Sequence, residues 1–220
     1  MKVILFGATG MIGQGVLREC LLDPAVTRVL VVARASTGQR HDKLSELLHE
    51  NFLDFNPIAQ QLTGYDACFF CLGISSAGLS EADYRRVTYE YTLAAAELLA
   101  RRNPQMTFIY VSGAGTDASE KGRSMWARVK GQTENALAKQ PFKATYMFRP
   151  GYIQPLHGIK AKTRLYRLLY AVVGPLYPLW KVLFPRIVTT TEKIGRAMIN
   201  VAARGAPARI VESRDINALA

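Results

Sequence analysis

Cysteine is scarce: three residues in a chain of 220 are too few for a disulfide framework, and an odd number besides, so a reducing, cytosolic setting is expected. The three histidines, His41, His49 and His157, are scattered without metal-ligand spacing, so no metal site is expected. No apolar run reaches the ~20 residues that a membrane-spanning helix requires. The longest candidate, Leu168 to Trp180, is interrupted by Gly174, Pro175 and Pro178, and the apolar run after Lys2 stops at Gly7, too short for a signal-peptide core. There is neither a repeat period nor a low-complexity tract, which excludes solenoid, collagen-like and disordered classes.

The most local deficit is in acid. From Asn135 to Thr191 there is no Asp or Glu, while Lys139, Lys143, Arg149, Lys160, Lys162, Arg164, Arg167, Lys181 and Arg186 supply nine positive charges against a formal net charge of +11. The positive field therefore belongs to the C-terminal third. No reading-helix or stacking motif accompanies it, so nucleic acid is not an expected partner.

With 49% hydrophobic residues the chain can bury a full core, and no linker divides it, so one domain over 1–220 is expected. Residues 2–6 form an apolar strand that runs straight into Gly7-Ala8-Thr9-Gly10-Met11-Ile12-Gly13, and then Val16, Leu17, Cys20 and Leu21 recur at helical spacing. Asp23-Pro24 ends that helix, and Val29–Ala33 is a continuous apolar run of the kind buried on both faces of a parallel sheet. A weaker strand is expected near Leu47–Phe52, a fourth over Tyr65–Gly73, a fifth at Thr107–Val111 and a sixth at Ala144–Phe148. Between them, Ser80 reads as the cap of a long helix to about Arg102, and Trp126–Lys139 as another. Alternation of this kind selects an α/β fold, a doubly wound parallel sheet of Rossmann type. Residues 1–151 are its expected core, 152–190 a basic segment on the substrate side, and 191–212 a closing helix and strand.

In such a fold the first strand-to-helix turn brings main-chain amides to a diphosphate at the helix N-terminus, where side chains would block it. Gly7, Gly10 and Gly13 meet that need. A carboxylate at the end of the second strand would accept from a ribose hydroxyl and repel a 2′-phosphate; here the residue is Arg34, followed by Ser36, Thr37, Arg40 and Lys43. NADP(H) is therefore the expected cofactor. Cys68 and Cys71 have redox-pair spacing, but on a strand residues i and i+3 face opposite ways, so both read as core thiols.

These pieces, taken with Cys71-Leu72-Gly73, Val111-Ser112-Gly113-Ala114-Gly115, Lys130-Gly131-Gln132-Thr133-Glu134 and Arg149-Pro150-Gly151, resemble the atypical short-chain dehydrogenases/reductases, in particular NAD(P)-binding epimerase-like proteins. The resemblance implies cofactor contacts from Gly7, Thr9, Gly10, Met11, Ile12, Gly13, Arg34, Arg40, Cys71, Leu72, Gly73, Ser112, Lys130 and Pro150. It further implies that Lys130 holds the nicotinamide ribose and that a Ser and a Tyr handle the reacting oxygen. Trp126 stands where that Tyr belongs, and an indole N–H donates a hydrogen bond but cannot cycle a proton near neutral pH. Gly113 stands at the Ser position, with Ser112 one residue early. Lys130, Ser112 and Trp126 are the candidate catalytic residues. Tyr110, Ser124, Tyr89, Tyr91 and Tyr152 are candidate replacement donors, each with a competing reading as a packed residue.

Two functions follow. One is a slow NADP(H)-dependent oxidoreductase acting on a small carbonyl substrate, the stretch after Gly151 being too short for a nucleotide-sugar lobe. The other is a non-catalytic NADP(H)-dependent sensor. The segment 160–186 reads as a lid with an aromatic core of Tyr166, Tyr170, Tyr177 and Trp180; the alternative is peripheral contact with an anionic membrane.

Overall fold

The computed structural model describes residues 1–159, 177, 184 and 186–220. Most of the segment 160–186, with the lid and membrane readings placed on it, lies outside the described residues. The first apolar run becomes β1 (Lys2–Phe6), and Gly10 begins α1 (Met11–Leu22). Next come β2 (Arg28–Ala33), β3 (Leu44–Leu48), a 3-10 turn (Asn56–Ile58) and β4 (Ala67–Phe70). A single helical run follows in three parts: α2 (Glu81–Arg85), a π-helical turn (Arg86–Glu90) and α3 (Tyr91–Arg102). The Ser80 hydroxyl caps it by accepting from the Asp83 amide at 3.1 Å, as Ser at that position should. Then come β5 (Thr107–Val111), α4 (Met125–Leu137), β6 (Ala144–Arg149), β7 (Tyr152–Gln154), β8 (Val188–Thr190), α5 (Thr191–Arg204), β9 (Ile210–Glu212) and α6 (Ser213–Leu219).

Seven strands form one sheet in the order β3-β2-β1-β4-β5-β6-β9, and every described pair is parallel. This is the doubly wound arrangement that the alternation predicts. Its order reverses between β1 and β4, which opens a crevice at the carboxyl ends of the strands. Alternate strand residues feed two cores. Val3, Leu5, Phe69, Ile109 and Phe148 pack under α1, α5 and α6, while Ile4, Phe6, Cys68, Phe70, Phe108 and Tyr110 pack under α3 and the end of α4.

Two expectations need correction. The third strand lies at Leu44–Leu48, ahead of the expected Leu47–Phe52, because β2 pairs Val29 with Leu44 and Ala33 with Leu48. Phe52 and Phe55 are buried from a loop instead, edge-on to Phe6 at 6.2 and 5.7 Å. The closing unit does not stop at 212, because α6 follows β9 and supplies Ile216 to the core. A small second sheet, β7 with β8, pairs Tyr152 with Val188 and so draws the two ends of the intervening segment together. No described helix is long and apolar enough to cross a membrane.

Helices α1 and α5 meet without room for side chains. A Cβ at Gly15 would lie 2.6 Å from Thr191 Cβ and 2.8 Å from its carbonyl oxygen. Gly15→Ala therefore lowers stability by about 1–3 kcal/mol through overpacking, although alanine is the better helix former by about 1 kcal/mol. Thermal unfolding should show Tm reduced by roughly 2–12 °C; an unchanged Tm would mean that the helices separate freely.

Candidate functional site

At the carboxyl end of β1 the chain turns through Gly7, whose φ of 79° is left-handed. A Cβ there would strike the Leu72 amide nitrogen at 2.5 Å and the Cys71 carbonyl at 2.6 Å, so only glycine lets β1 and β4 converge at this point. A Cβ at Gly13 would lie 2.1 Å from the Gly7 oxygen. The first hydrogen bond of the α1 ladder runs from Gln14 N to Gly10 O at 2.9 Å, which leaves the amides of Met11, Ile12 and Gly13 ahead of it. Neither a capping side chain nor an acidic residue occupies this helix start. The result is a side-chain-free, partly positive cradle at the switch point. Thr9 flanks it, its carbonyl accepting from Gln14 Nε2 at 3.1 Å, and Gly73 opens an exposed loop on the opposite rim.

Beyond β2 the expected cation cluster is only partly assembled. Arg34 and Arg40 are exposed and make no ion pair among the described residues, so both guanidinium groups are available. The other expected phosphate ligands are already engaged. Ser36 and Thr37 donate their hydroxyls to Glu46 of β3, and the Thr37 amide adds a bond of 2.7 Å. Desolvation opposes the charge on Glu46, but these donors outweigh it and hold the carboxyl below its usual range. Lys43 donates to the Asp23 carbonyl at 2.7 Å. Arg40 turns towards α1 and, with Gln14, Arg18, His41 and His157, lines a cleft of about 510 Å³.

The second half of the site is built on α4. Lys130 donates from Nζ to the Ser112 carbonyl just past β5, and burial pulls its ammonium down to about 8 against the opposing effect of Glu134. Glu134 lies one helical turn further on the same face and is 4% exposed. It takes the Ser112 hydroxyl at 2.5 Å and pairs with Arg149 through both guanidinium edges, Nε at 3.0 Å. The Ser112 hydroxyl therefore points to Glu134 and not into the crevice. Spacing alone gave no role to Glu134 and Arg149, although an acid four residues after a lysine on a helix was the available signal. Pro150, buried, accepts the Ala114 amide at 2.9 Å and fixes the Gly113–Gly115 turn.

Trp126 lies half-buried on the same helix, one turn before Lys130, and its ring comes within 3.4 Å of where a Gly115 Cβ would be. Its indole N–H has no partner among the described residues. None of the replacement tyrosines faces the site as a free acid. Tyr110 is 1% exposed beneath Lys130, and burial, with Tyr84 and Glu134 nearby, raises its pKa. The Tyr152 hydroxyl donates to Gln154 at 2.8 Å, Tyr91 packs on Phe52, and Tyr89 lies under the Arg85 guanidinium at 4.0 Å. Ser124 caps α4 by position, with no side-chain bond to the helix.

Cys68 and Cys71 enter opposite cores as expected, and burial raises the pKa of all three thiols. His157, to which spacing assigns no role, donates from Nε2 to the Glu192 carboxylate at 2.6 Å. With Glu19 these residues bring three ligand-type atoms within 4.8 Å of one another, but Arg196 bonds Glu19 at 3.2 Å and Glu192 at 2.9 Å, and Arg18 also holds Glu19. The arrangement is an ion-pair network tying α5 to α1.

Comparison with known proteins fits this geometry. The model of the family described as "NAD dependent epimerase/dehydratase family" matches residues 3–140. The rat protein HTATIP2 is 27% identical over 154 residues, covering 69% of this chain and 62% of its own. The protein fmp52, mitochondrial, of Emericella nidulans is 28% identical over 159 residues, covering 69% of this chain and 66% of its own. The chain thus spans about two thirds or less of these relatives' length. Among solved structures, the Bordetella bronchiseptica enzyme WbmF in complex with NAD+ superposes with a TM-score of 0.69 at 15% identity, over 99% of this chain and 76% of its own.

Because Lys130 sits near 8, its reaction with an amine-selective reagent, read by mass spectrometry, should titrate with a midpoint close to that value. Glu134→Gln removes the carboxylate that favours the charged form, so the midpoint should move lower still. A midpoint at the ordinary lysine value of ~10.4 would show that the ammonium is fully hydrated.

Proposed function

The chain belongs to the NAD dependent epimerase/dehydratase family, and from that premise we propose that it binds NADP(H) and acts as a slow oxidoreductase on a small acceptor. One observation carries this reading: the glycine cradle at the switch point, where a Cβ on Gly7 or Gly13 would meet main chain at 2.1–2.6 Å and the start of α1 is kept free of side chains. The amides of Met11, Ile12 and Gly13 would hold the diphosphate, and Cys71, Leu72 and Gly73 would form the opposite wall. Lys130 would donate to the ribose hydroxyls. The buried Glu134–Arg149 pair, through Ser112, would keep the Lys130 partner carbonyl in place. When bound, the reduced nicotinamide supplies a hydride; the residues around it bind, orient and exclude water.

The choice of phosphorylated cofactor rests on Arg34, with Arg40 behind it, since Glu46 has taken the hydroxyls of Ser36 and Thr37. A relative crystallised with NAD+ supports a nicotinamide in this turn without deciding between the two forms. Buried or partly buried free cysteines suit a reducing compartment, which we take to be the cytosol, although the fungal relatives are mitochondrial by name. The sensor reading is favoured by Trp126 and by the committed Ser112 hydroxyl. It includes contact of 160–186 with anionic membrane, for which low-salt co-sedimentation with phosphatidylserine vesicles is the test; protein left wholly in the supernatant removes it.

Calorimetry should register NADPH binding more tightly than NADH. Arg34→Asp removes a charge-assisted bond and adds a repulsion, so the NADPH Kd should rise on the order of 10- to 100-fold while that for NADH moves little. No heat at saturating NADPH would end the cofactor reading, and equal affinities in both proteins would end the assignment to Arg34.

A further inference from the structure

We propose that the cleft on the outer face of α1 binds an amphipathic monoanion, a carboxylate carried on an unbranched apolar chain, at a site separate from the cofactor crevice. Its floor is written into the helix. Gln14, Arg18, Leu21 and Leu22 stand at i, i+4, i+7 and i+8, one face of α1, and all four line the cleft. That face is polar in the first two turns and apolar in the last. Leu22 is 61% exposed, the highest value among the exposed large apolar side chains of the described residues. A lone exposed leucine means little, but Leu21 and Ile159 line the same cleft and make the apolar end continuous.

Two loops, remote from each other in sequence, complete the cleft. Residues 39–41 are anchored beside the end of α1 by Lys43, whose ammonium donates to the Asp23 carbonyl at 2.7 Å. Residues 157–159 are anchored by the Leu156 amide, which donates to the Thr191 hydroxyl at 3.2 Å, and by the His157–Glu192 pair at 2.6 Å. The volume of about 510 Å³ falls in the range of small-molecule sites, ~300–1,000 Å³. Of the residues assigned to the cofactor, only Arg40 reaches this cleft. Leu21 lies about 12 Å along the helix axis from Gly13, the last of the open amides. The site therefore does not depend on the NADP(H) reading.

Charge selects the head group. No carboxylate is among the lining residues, and Arg40 is exposed without an ion pair among the described residues. The His41 ring accepts the Lys43 amide on Nδ1 at 3.1 Å, so the proton of the neutral ring sits on Nε2 as a donor. Behind the lining, Arg18 and Arg196 are matched by Glu19 and Glu192. Arg40 is thus the guanidinium in excess. One unbalanced positive charge suits a monoanion better than a dianion, and the planar guanidinium fork takes a carboxylate through two parallel bonds. The chain of the ligand then covers Leu21, Leu22 and Ile159, each methylene removed from water tightening binding roughly fourfold.

The test is calorimetry on the full chain, without cofactor and with decanoate below its micelle concentration. One decanoate should bind per chain, at least 100-fold tighter than acetate, and decyltrimethylammonium should not bind. Leu22→Asp and Arg40→Gln should each weaken decanoate at least 10-fold; both positions are exposed, so Tm should hold. Leu48→Asp, at a side chain 59% exposed on β3 and outside the cleft, controls for unspecific adsorption and should leave the Kd unchanged. Decanoate held no better than acetate, equal binding of the cationic chain, or an equal loss in Leu48→Asp overturns the proposal. Complete displacement of decanoate by NADPH overturns it too, since the cleft would then be an arm of the cofactor crevice. Failure of the protein to bind NADPH removes the cofactor reading and leaves this site standing.

Discussion

Backbone must touch backbone where β1 turns into α1, and most of the rest is built around that contact. The Gly7 carbonyl sits where a Gly13 side chain would be, and the Cys71–Leu72 peptide sits where a Gly7 side chain would be. The closeness of β1, β4 and the first turn of α1 is thus a matter of two missing methyl-sized volumes. It aims the open amides of α1 into the crevice where strand order reverses. Any side chain here would push helix from sheet and spoil the packing of Val16, Leu17 and Cys20 over Val3 and Leu5.

The α4 side of the crevice is organised by charge. Glu134 and Arg149 are nearly removed from water, and truncating one partner of such a pair typically costs about 3–5 kcal/mol because the other is left unpaired. The pair reaches the crevice through Ser112, whose hydroxyl it takes and whose carbonyl holds Lys130. Lys130 is thereby held at both ends, by its helix and by the β5 turn. A ligand would meet an ammonium already in position, which limits the ordering entropy that binding must overcome.

How much of this was legible in the sequence depended on the range of each interaction. The strands β1, β2, β4 and β5 announce themselves as unbroken apolar runs because both faces are covered, and the glycine turn is read from adjacent residues. Strand β3 was misplaced by three residues because it lies at the sheet edge, where its half-exposed Leu44 to Leu48 carry a weak pattern while the neighbouring Phe52 and Phe55 are buried from a loop. Lys130 and Trp126 were identifiable from the family resemblance, which places them four residues apart on one helix. The engagement of Ser36 and Thr37 by Glu46 was not, since it depends on how a loop folds back over the edge strand. The pairing of Glu134 with Arg149 likewise joins a helix to a strand 15 residues on, beyond any local period.

The seam between α1 and α5 has a consequence for biosynthesis. Glu19, 4% exposed, finds Arg196 from 177 residues downstream, and Gly15 is covered by Thr191. At translation speeds of about 5–20 residues per second, that face of α1 waits on the order of 10–35 s for its cover. Until then the nascent chain displays a sticky apolar stripe whose acid has its neighbour Arg18 but not Arg196, a natural point of engagement for holdase chaperones.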